Sequence, residues 1–409
     1  MKYLSICIPN YNRIDKLKRL IEETARQIII DSLENVIEIC ISDDCSVENP
    51  TAMIEQLKRT YPMILFRYVR NKQNMGMDYN FLNSVLLAEG EYCWIIGNDD
   101  LPTEHGVQIA MEQLRAWQNK ADILVTPFDI YTEKEEVRGT IIPLQTTQRE
   151  CVSFDTSKEK EYRELLYSVQ HNSGLFGFLS NTIFRRRKWI EYRERFQNKL
   201  DTIFIQMYMN IQILEDGAVY LYSPQKIIKN YADDQTNESV ARICKILVGL
   251  NGVVEYFFKD EIRQRINKVI VDAYINGVVW ELPDANKYKQ IIEGIETKKN
   301  FFYKEYFIKP MYRLDFFKGK KVMVFGAGNY GKKVIRELEQ YNATIVGVMD
   351  SAPAKQGSMI DGYMIHSPEE MYEMYDQNHF TIVVANHFHL EDMIKSLLEK
   401  KIEDIAIIC

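Results

Sequence analysis

Three short clusters of acids and amides recur along the first hundred residues: Asp43-Asp44, then Asn74-x-Gly76-x-Asp78-x-Asn80, then Asn98-Asp99-Asp100. Carboxylates in such clusters accept hydrogen bonds from a nucleobase N–H or a ribose hydroxyl. They also hold a hard cation such as Mg²⁺ or Mn²⁺ that is shared with substrate phosphates. Taken singly, each cluster equally suits a helix cap or a turn, because Asp and Asn bond the nearby backbone. If they converge on one crevice, they make a site for a nucleotide and a metal. A different motif comes much later: Gly326-x-Gly328-x-x-Gly331, with Asp350 beyond it. Glycines at that spacing permit a tight turn and close approach of phosphate to a helix N-terminus, while the acid reaches a ribose hydroxyl.

The elements that must position these residues alternate. Apolar runs at 3–8, 36–41, 64–69 and 92–96 read as buried strands, separated by helical patterns at 14–30, 50–60 and 78–88. Each acidic cluster follows a strand. Alternation of this kind predicts a parallel sheet with its ligands at the carboxyl ends of the strands. From 121 to 235 the pattern is mixed, with a helix over 201–214 and a strand over 219–222. Residues 236–318 read as a helical connector. A fresh unit starts near Lys320: a strand at 322–325, the glycine motif opening a helix, and a strand at 344–349 that ends on Asp350. The expected fold class is therefore α/β, with domains at 1–235 and 319–409 joined by the connector.

A net charge of −7 lacks the surplus of Lys and Arg that neutralises nucleic-acid phosphates, so no nucleic-acid partner is expected. Seven scattered cysteines without CxxC pairing suit reduced core thiols, and no apolar run approaches the length of a bilayer span. A cytoplasmic location follows as an expectation. The stretch 298–321 carries eight basic residues against two acidic ones, interleaved with Phe and Tyr. That composition suits peripheral contact with an anionic membrane surface, or an interdomain helix whose aromatics pack while the lysines stay wet.

Four stretches in fixed order carry a family resemblance. They are Ser5-Ile6-Cys7-Ile8-Pro9-Asn10-Tyr11-Asn12-Arg13, Ile41-Ser42-Asp43-Asp44-Cys45-Ser46, Asn74-Met75-Gly76-Met77-Asp78-Tyr79-Asn80, and Ala88 through Asp100. With these, residues 1 to about 240 resemble a family-2 glycosyltransferase of the GT-A fold, abequosyltransferase-like within that family. The resemblance implies an inverting sugar transfer from a nucleotide-sugar donor to a saccharide, such as a lipid-linked O-antigen or capsule oligosaccharide, assisted by Mn²⁺ or Mg²⁺. It implies that Pro9, Tyr11 and Arg13 border the nucleotide together with Asn74, Gly76 and Asp78. By the same resemblance Asp43 bonds the base, Asp99 faces the ribose or sugar, and Asp100 ligates the metal with Asn98. Here the family's Asp-x-Asp reads Asn98-x-Asp100, and the amide contributes no charge. A carboxylate must act as general base on the acceptor hydroxyl. Asp201 leads that choice, followed by Glu215 and Asp216, with His171 third. Arg185-Arg186-Arg187 is either a contact for a phosphate-bearing acceptor or a solvated charge run.

The later motif resembles small Rossmann-like domains attached to sugar-modifying enzymes, with Gly326, Gly328, Gly331 and Asp350 binding a nucleotide or dinucleotide. Only about ninety residues follow Lys320, which favours a binding module over a working oxidoreductase. His387 and His389 share one side of a strand but lack a third metal ligand in sequence. Three other readings stand beside sugar transfer. They are a nucleotidyltransferase, which would want a Gly-rich basic loop where residues 9–13 stand, a non-catalytic nucleotide-sugar sensor, and an NAD-type enzyme acting through the later unit.

Overall fold

The computed structural model describes residues 2–117, 120–145, 150–231, 240–259 and 317–385, with isolated residues or short runs at 262, 265–266, 269, 393, 396–397, 399–402 and 404–407. The chain divides into two units, Met1–Tyr274 and Ile275–Cys409. The expected contacts of residues 298–316 and of His387 and His389 lie outside the described residues. Among the described residues, no helix is long and apolar enough to cross a membrane.

The first unit is mixed α/β around a large central sheet. It opens with β1 (Leu4–Asn10), α1 (Ile14–Ile30), β2 (Ile37–Asp43), α2 (Thr51–Thr60), β3 (Leu65–Arg70), α3 (Met77–Leu87) and β4 (Tyr92–Ile95). β1 and β2 are buried along their whole lengths, as a parallel strand covered on both faces must be. α1 buries Leu17, Leu20, Ile21, Thr24, Ala25 and Ile28, one stripe at helical spacing. Asn12 and Arg13 both sit at φ 57, so the chain turns from β1 into α1 through two left-handed residues.

The chain continues through β5 (Leu101–Pro102), α4 (Gly106–Ala116), β6 (Ile123–Val125), β7 (Phe128–Tyr131), β8 (Val137–Ile141), β9 (Val152–Asp155) and α5 (Glu159–Ser168). Then come β10 (Thr182–Arg185), α6 (Arg186–Tyr192), α7 (Ile205–Glu215), β11 (Val219–Tyr222), β12 (Ile228–Tyr231) and α8 (Val240–Phe257). The central sheet has the order β3-β2-β1-β4-β10-β6-β11-β9. β10 runs antiparallel to β4 and β6, and β9 antiparallel to β11, while the other six share one direction. A smaller sheet, β5-β12-β7-β8, lies apart from it. The order 3-2-1-4 reverses between β1 and β4, and ligands of such sheets bind outside the carboxyl ends at that reversal.

In the second unit β13 (Lys321–Phe325), α9 (Asn329–Gln340), β14 (Thr344–Met349), β15 (Met359–Ile360), β16 (Tyr363–His366), α10 (Pro368–Asn378), β17 (Thr381–Val384) and β18 (Ile405–Ile407) form a sheet ordered β15-β16-β14-β13-β17-β18. Every neighbouring pair is parallel except β15 with β16. Ser367 caps α10 in a capping box with Glu370, and Pro368 takes the first helical position.

Candidate active site

Register places the polar ends of four strands in one row. Asn10 pairs with Asp43 across β1 and β2, and Asp43 pairs with Arg70 across β2 and β3. On the other flank, the Asn98 amide donates to Asn10 Oδ1 at 2.7 Å. Asn10 passes the contact on, its own amide donating to Asp43 Oδ1 at 2.7 Å. Asp43 is fully buried and also accepts from the Ser46 hydroxyl and from the Ser46 N–H at 3.1 Å, with Arg70 Nε 3.1 Å away. Its carboxylate thus holds the row together from within, where the sequence expectation has it bonding a base. Pro9 is buried in β1 beside Ser42, whereas Tyr11, 46% exposed, stands at the rim.

Asp99 and Asp100 divide by burial. Asp100 is 2% exposed; its Oδ2 accepts from Ser180 Oγ at 2.5 Å and its Oδ1 from the Asn230 amide at 2.9 Å. Burial, reinforced by the neighbouring Asp99, pushes its carboxyl up to about 7. The Asp99 side chain keeps 32% of its surface and pairs with the Arg13 guanidinium. Asn98 and Asp99 line a cleft of about 150 Å³ with Lys16, Arg19, Leu101, Glu133 and Tyr231. Among the described residues, no three His, Cys, Asp or Glu are grouped to enclose a metal. A cation carried by one carboxylate together with substrate phosphates needs no such cage. The open acid beside a neutral amide fits that duty, and the enclosed Asp100 does not. The sequence reading gives the metal to Asp100 and the sugar to Asp99, whereas here Asp99 is the more open of the two acids. Lys16, Arg19 and Tyr231 were missed. A sequence signal existed for two of them, because Arg13, Lys16 and Arg19 are spaced by three and share one face of α1.

The second cluster, Asn74 to Asn80, is tied into the scaffold. Asp44 accepts from the Asn71 amide at 2.8 Å, from Met75 N at 2.8 Å and from Gly76 N at 2.9 Å. Asn74 also receives Gly76 N, at 2.9 Å. Asp78 is buried, and its oxygens accept from Ile203 N at 2.8 Å and Ile205 N at 3.3 Å. Asp78 is thus engaged with the start of α7, whereas the resemblance has it bordering the nucleotide.

The candidates for general base fall on opposite edges of the sheet. The helix expected from Asp201 begins at Ile205, and Asp201 occupies a turn at φ 81 with its carboxylate 87% exposed and paired to Lys245. α7 descends from the carboxyl edge to the amino edge before β11, so Asp201 stands at the edge that carries the acid row. Glu215 and Asp216 end that helix at the amino edge, engaged by the hydroxyls of Tyr162 and Tyr192. Both therefore stand at the edge away from the acid row. Arg185 belongs to the amino edge too. Its guanidinium, 11% exposed, contacts Asp122 at 2.9 Å and Glu91 at 2.5 Å, which rules out a phosphate contact there.

His171 Nδ1 lies 2.9 Å from Ser173 Oγ and accepts from Ser173 N at 3.2 Å, capping a short 3₁₀ turn at Asn172–Leu175. Burial pulls it from 6.5 down to about 4. A base depressed in the folded state stabilises above its unfolded value near 6.5 and loses that contribution as pH falls toward 4, a loss of up to about 3 kcal/mol. His171→Asn keeps a capping oxygen and should flatten the fall in melting stability between pH 6.5 and 4. Identical pH slopes for wild type and variant would exclude this account.

In the second unit, Asp350 Oδ2 accepts from Ala327 N at 2.8 Å and from Lys355 Nζ at 2.9 Å, and Oδ1 accepts from Ala352 N at 2.9 Å. Burial would raise this carboxyl, but the Lys355 ammonium and the two backbone donors hold it below the usual range. The acid is thus bound to the glycine loop itself, where sequence has it reaching a ribose. Gly326 sits at φ 123, and a Cβ there would lie 2.6 Å from the Ala385 oxygen. A Cβ on Gly331 would lie 1.9 Å from the Gly326 oxygen, whereas one on Gly328 would meet nothing within 4 Å.

Residues 5–192 match the family model described as Glycosyl transferase family 2, and residues 318–408 match the one described as C2185-like, N-terminal. Abequosyltransferase RfbV of Salmonella typhimurium is 28% identical over 250 residues, which are 60% of this chain and 71% of that protein. An uncharacterized glycosyltransferase of Mycoplasma genitalium is 27% identical over 129 residues, 31% of this chain and 41% of its own length. Among solved structures, S. aureus TarS 1-349 in complex with UDP-GlcNAc aligns with 72% of this chain and 79% of its own at 14% identity and a TM-score of 0.49. Mannosyltransferase PcManGT from Pyrobaculum calidifontis, in complex with GDP-Man and Mn2+, aligns with 72% and 73% of the two chains at 12% identity and a TM-score of 0.45.

Proposed function

We propose that this chain is a family-2 glycosyltransferase that takes a sugar from a nucleotide-sugar donor and passes it to a saccharide acceptor, working from the cytoplasmic side. The observation that carries the reading is the row Asn98–Asn10–Asp43–Arg70, with Asp99 open beside it, across the point where strand order reverses between β1 and β4. Support comes from the family-2 match over residues 5–192 and from the relative named as an abequosyltransferase. A lipid-linked oligosaccharide of the O-antigen or capsule kind as acceptor, and an inverting displacement, are the parts of this reading that the motif resemblance over residues 1 to about 240 implies.

Each part of the chain has a task in this scheme. Tyr11 and the turn at Asn12-Arg13 border the nucleotide, and the Asp43 network fixes the shape of that border. Asp99, with Asn98 beside it, would hold Mn²⁺ or Mg²⁺. The cation, when bound, stabilises negative charge on the departing diphosphate. Arg13, paired with Asp99, would meet a donor phosphate beside that site. Asp201 takes the proton of the acceptor hydroxyl as it attacks the anomeric carbon. The order β16-β14-β13-β17-β18, together with the glycine loop, supports a Rossmann-type nucleotide-binding role for the second unit.

The test is donor turnover and binding with UDP-, GDP-, CDP- and dTDP-sugars, with and without Mn²⁺. Metal-dependent preference for one nucleotide is the expected result. Binding of NAD with no response to any nucleotide-sugar would move the active centre to the second unit and overturn the reading.

A further inference from the structure

The turn between Lys199 and Ile205 has no regular structure, yet it is held on two sides. Asp201 at φ 81 and Ile203 at φ 63 both occupy the left-handed region, and for β-branched Ile203 that conformation is strained. Strain of this kind persists only where surrounding contacts enforce it.

The inner contact is Asp78, in the first turn of α3. Asp78 is 2% exposed, and its carboxylate takes the backbone N–H groups of Ile203 and Ile205 at 2.8 and 3.3 Å. Burial pushes the Asp78 carboxyl upward against those donors. A solitary buried acid is costly to keep, and here two N–H donors of one turn offset part of that cost.

The outer contact is α8. Lys245 pairs with the Asp201 carboxylate. The Lys199 ammonium lies 5.1 Å from the ring centroids of both Tyr208 and Tyr256. Gly249 lets α8 come so close that a Cβ there would lie 2.4 Å from the Thr202 oxygen and 2.8 Å from the Phe204 ring. On its inner side the clamp continues to the acid row, because Asp44, immediately after β2, holds Met75 and Gly76 just before α3.

We propose that Asp78 is a positioning residue, whose buried carboxylate, clamped against α8, locks the strained turn at 201–205 so that Asp201 is presented to the acceptor. The inference rests on Asp201 being the general base. It assigns Asp78 no contact with the donor, in place of the nucleotide-binding role its motif suggests. Misplacing a reacting group by about 1 Å costs on the order of 10²-fold in rate, which sets the scale of the effect.

A double-mutant cycle on donor turnover tests it, using the nucleotide-sugar that the panel selects, with thermal melts as a control on folding. Asp78→Asn should lower kcat by roughly 10- to 100-fold and leave the donor KM essentially unchanged. In an Asp201→Asn background, the same change should cost nothing further, because the group it positions is already gone. Full additivity, or a loss expressed in the donor KM, would mean that Asp78 acts on the donor and would overturn the proposal. Loss of activity in Asp201→Asn alone, with Asp78→Asn fully active, would overturn the clamp and leave the general base standing. Loss in Asp78→Asn alone would remove Asp201 as base, and with it the positioning role proposed here. If Asp78→Asn does not fold, Lys245→Ala takes its place in the cycle. It should reduce kcat several-fold in the wild-type background and not at all in Asp201→Asn, and a loss in both backgrounds would overturn the proposal.

Discussion

Asp99→Asn should reduce donor turnover by roughly 10³-fold, since a cation at a leaving diphosphate supplies several kcal/mol and each 1.36 kcal/mol is tenfold in rate. The neighbouring Asp100→Asn should cost about tenfold or less. The contrast follows from the surroundings of two adjacent acids. Asp99 is the one whose carboxylate reaches the cleft, and it pairs with Arg13. Asp100 lies behind it between Ser180 and Asn230. An amide there still accepts from Asn230, and Ser180 Oγ, which already receives Gly97 N at 2.9 Å, can accept from the new NH₂. Mn²⁺ titration of nucleotide binding separates the two: Asp99→Asn should abolish the metal response, and Asp100→Asn should retain it. The reverse outcome would return the metal to Asp100 and show that Ser180 and Asn230 let go when the donor binds.

How much of this was legible in the sequence depends on how local each cause is. That three clusters would meet was legible, because each follows an apolar run between helical patterns, and parallel strands end side by side. The duty of each acid was not. Whether Asp99 or Asp100 opens to the cleft is decided by Ser180 and Asn230, which lie 80 and 130 residues further along. Asp43 is likewise closed off by Arg70, from a strand whose only link to it is register.

The start of α7 shows the same limit. Asp201-Thr202-Ile203-Phe204-Ile205 reads as a capping acid before an apolar run, the usual opening of a helix. Nothing in those five residues reveals that Asp78 will take their N–H groups and hold the turn open. Glu215 and Asp216 look as catalytic as any acid pair in the chain. Only the direction of α7 across the sheet shows that they stand at the edge away from the acid row. The small sheet was not anticipated at all, since β5 has two residues and β7 through β8 read as mixed pattern. Yet Tyr231, at the end of β12, forms part of the wall beside Asp99.

The glycine motif of the second unit separates into packing and ligand chemistry by substitution. Gly331→Ala should unfold or severely loosen this unit, because its methyl would lie 1.9 Å from the Gly326 oxygen, a backbone atom that cannot swing aside. Overpacking costs ~1–3 kcal/mol where neighbours can relax, and here they are the turn and helix that define the motif. A separate melting transition for residues near 319–409 should drop or vanish. Gly328→Ala should leave the melt unchanged, since its φ of −93 suits any residue and its Cβ would meet nothing. Packing therefore accounts for the first and third glycines but gives no reason for the second. An open glycine at the N-terminus of α9 fits close approach of a phosphate, where a methyl would intrude. Calorimetric titration with NAD and with UDP-sugars decides it: weaker binding to Gly328→Ala than to wild type places phosphate on the loop. Equal binding, or none to either protein, would leave the motif as a device for holding α9 against β13.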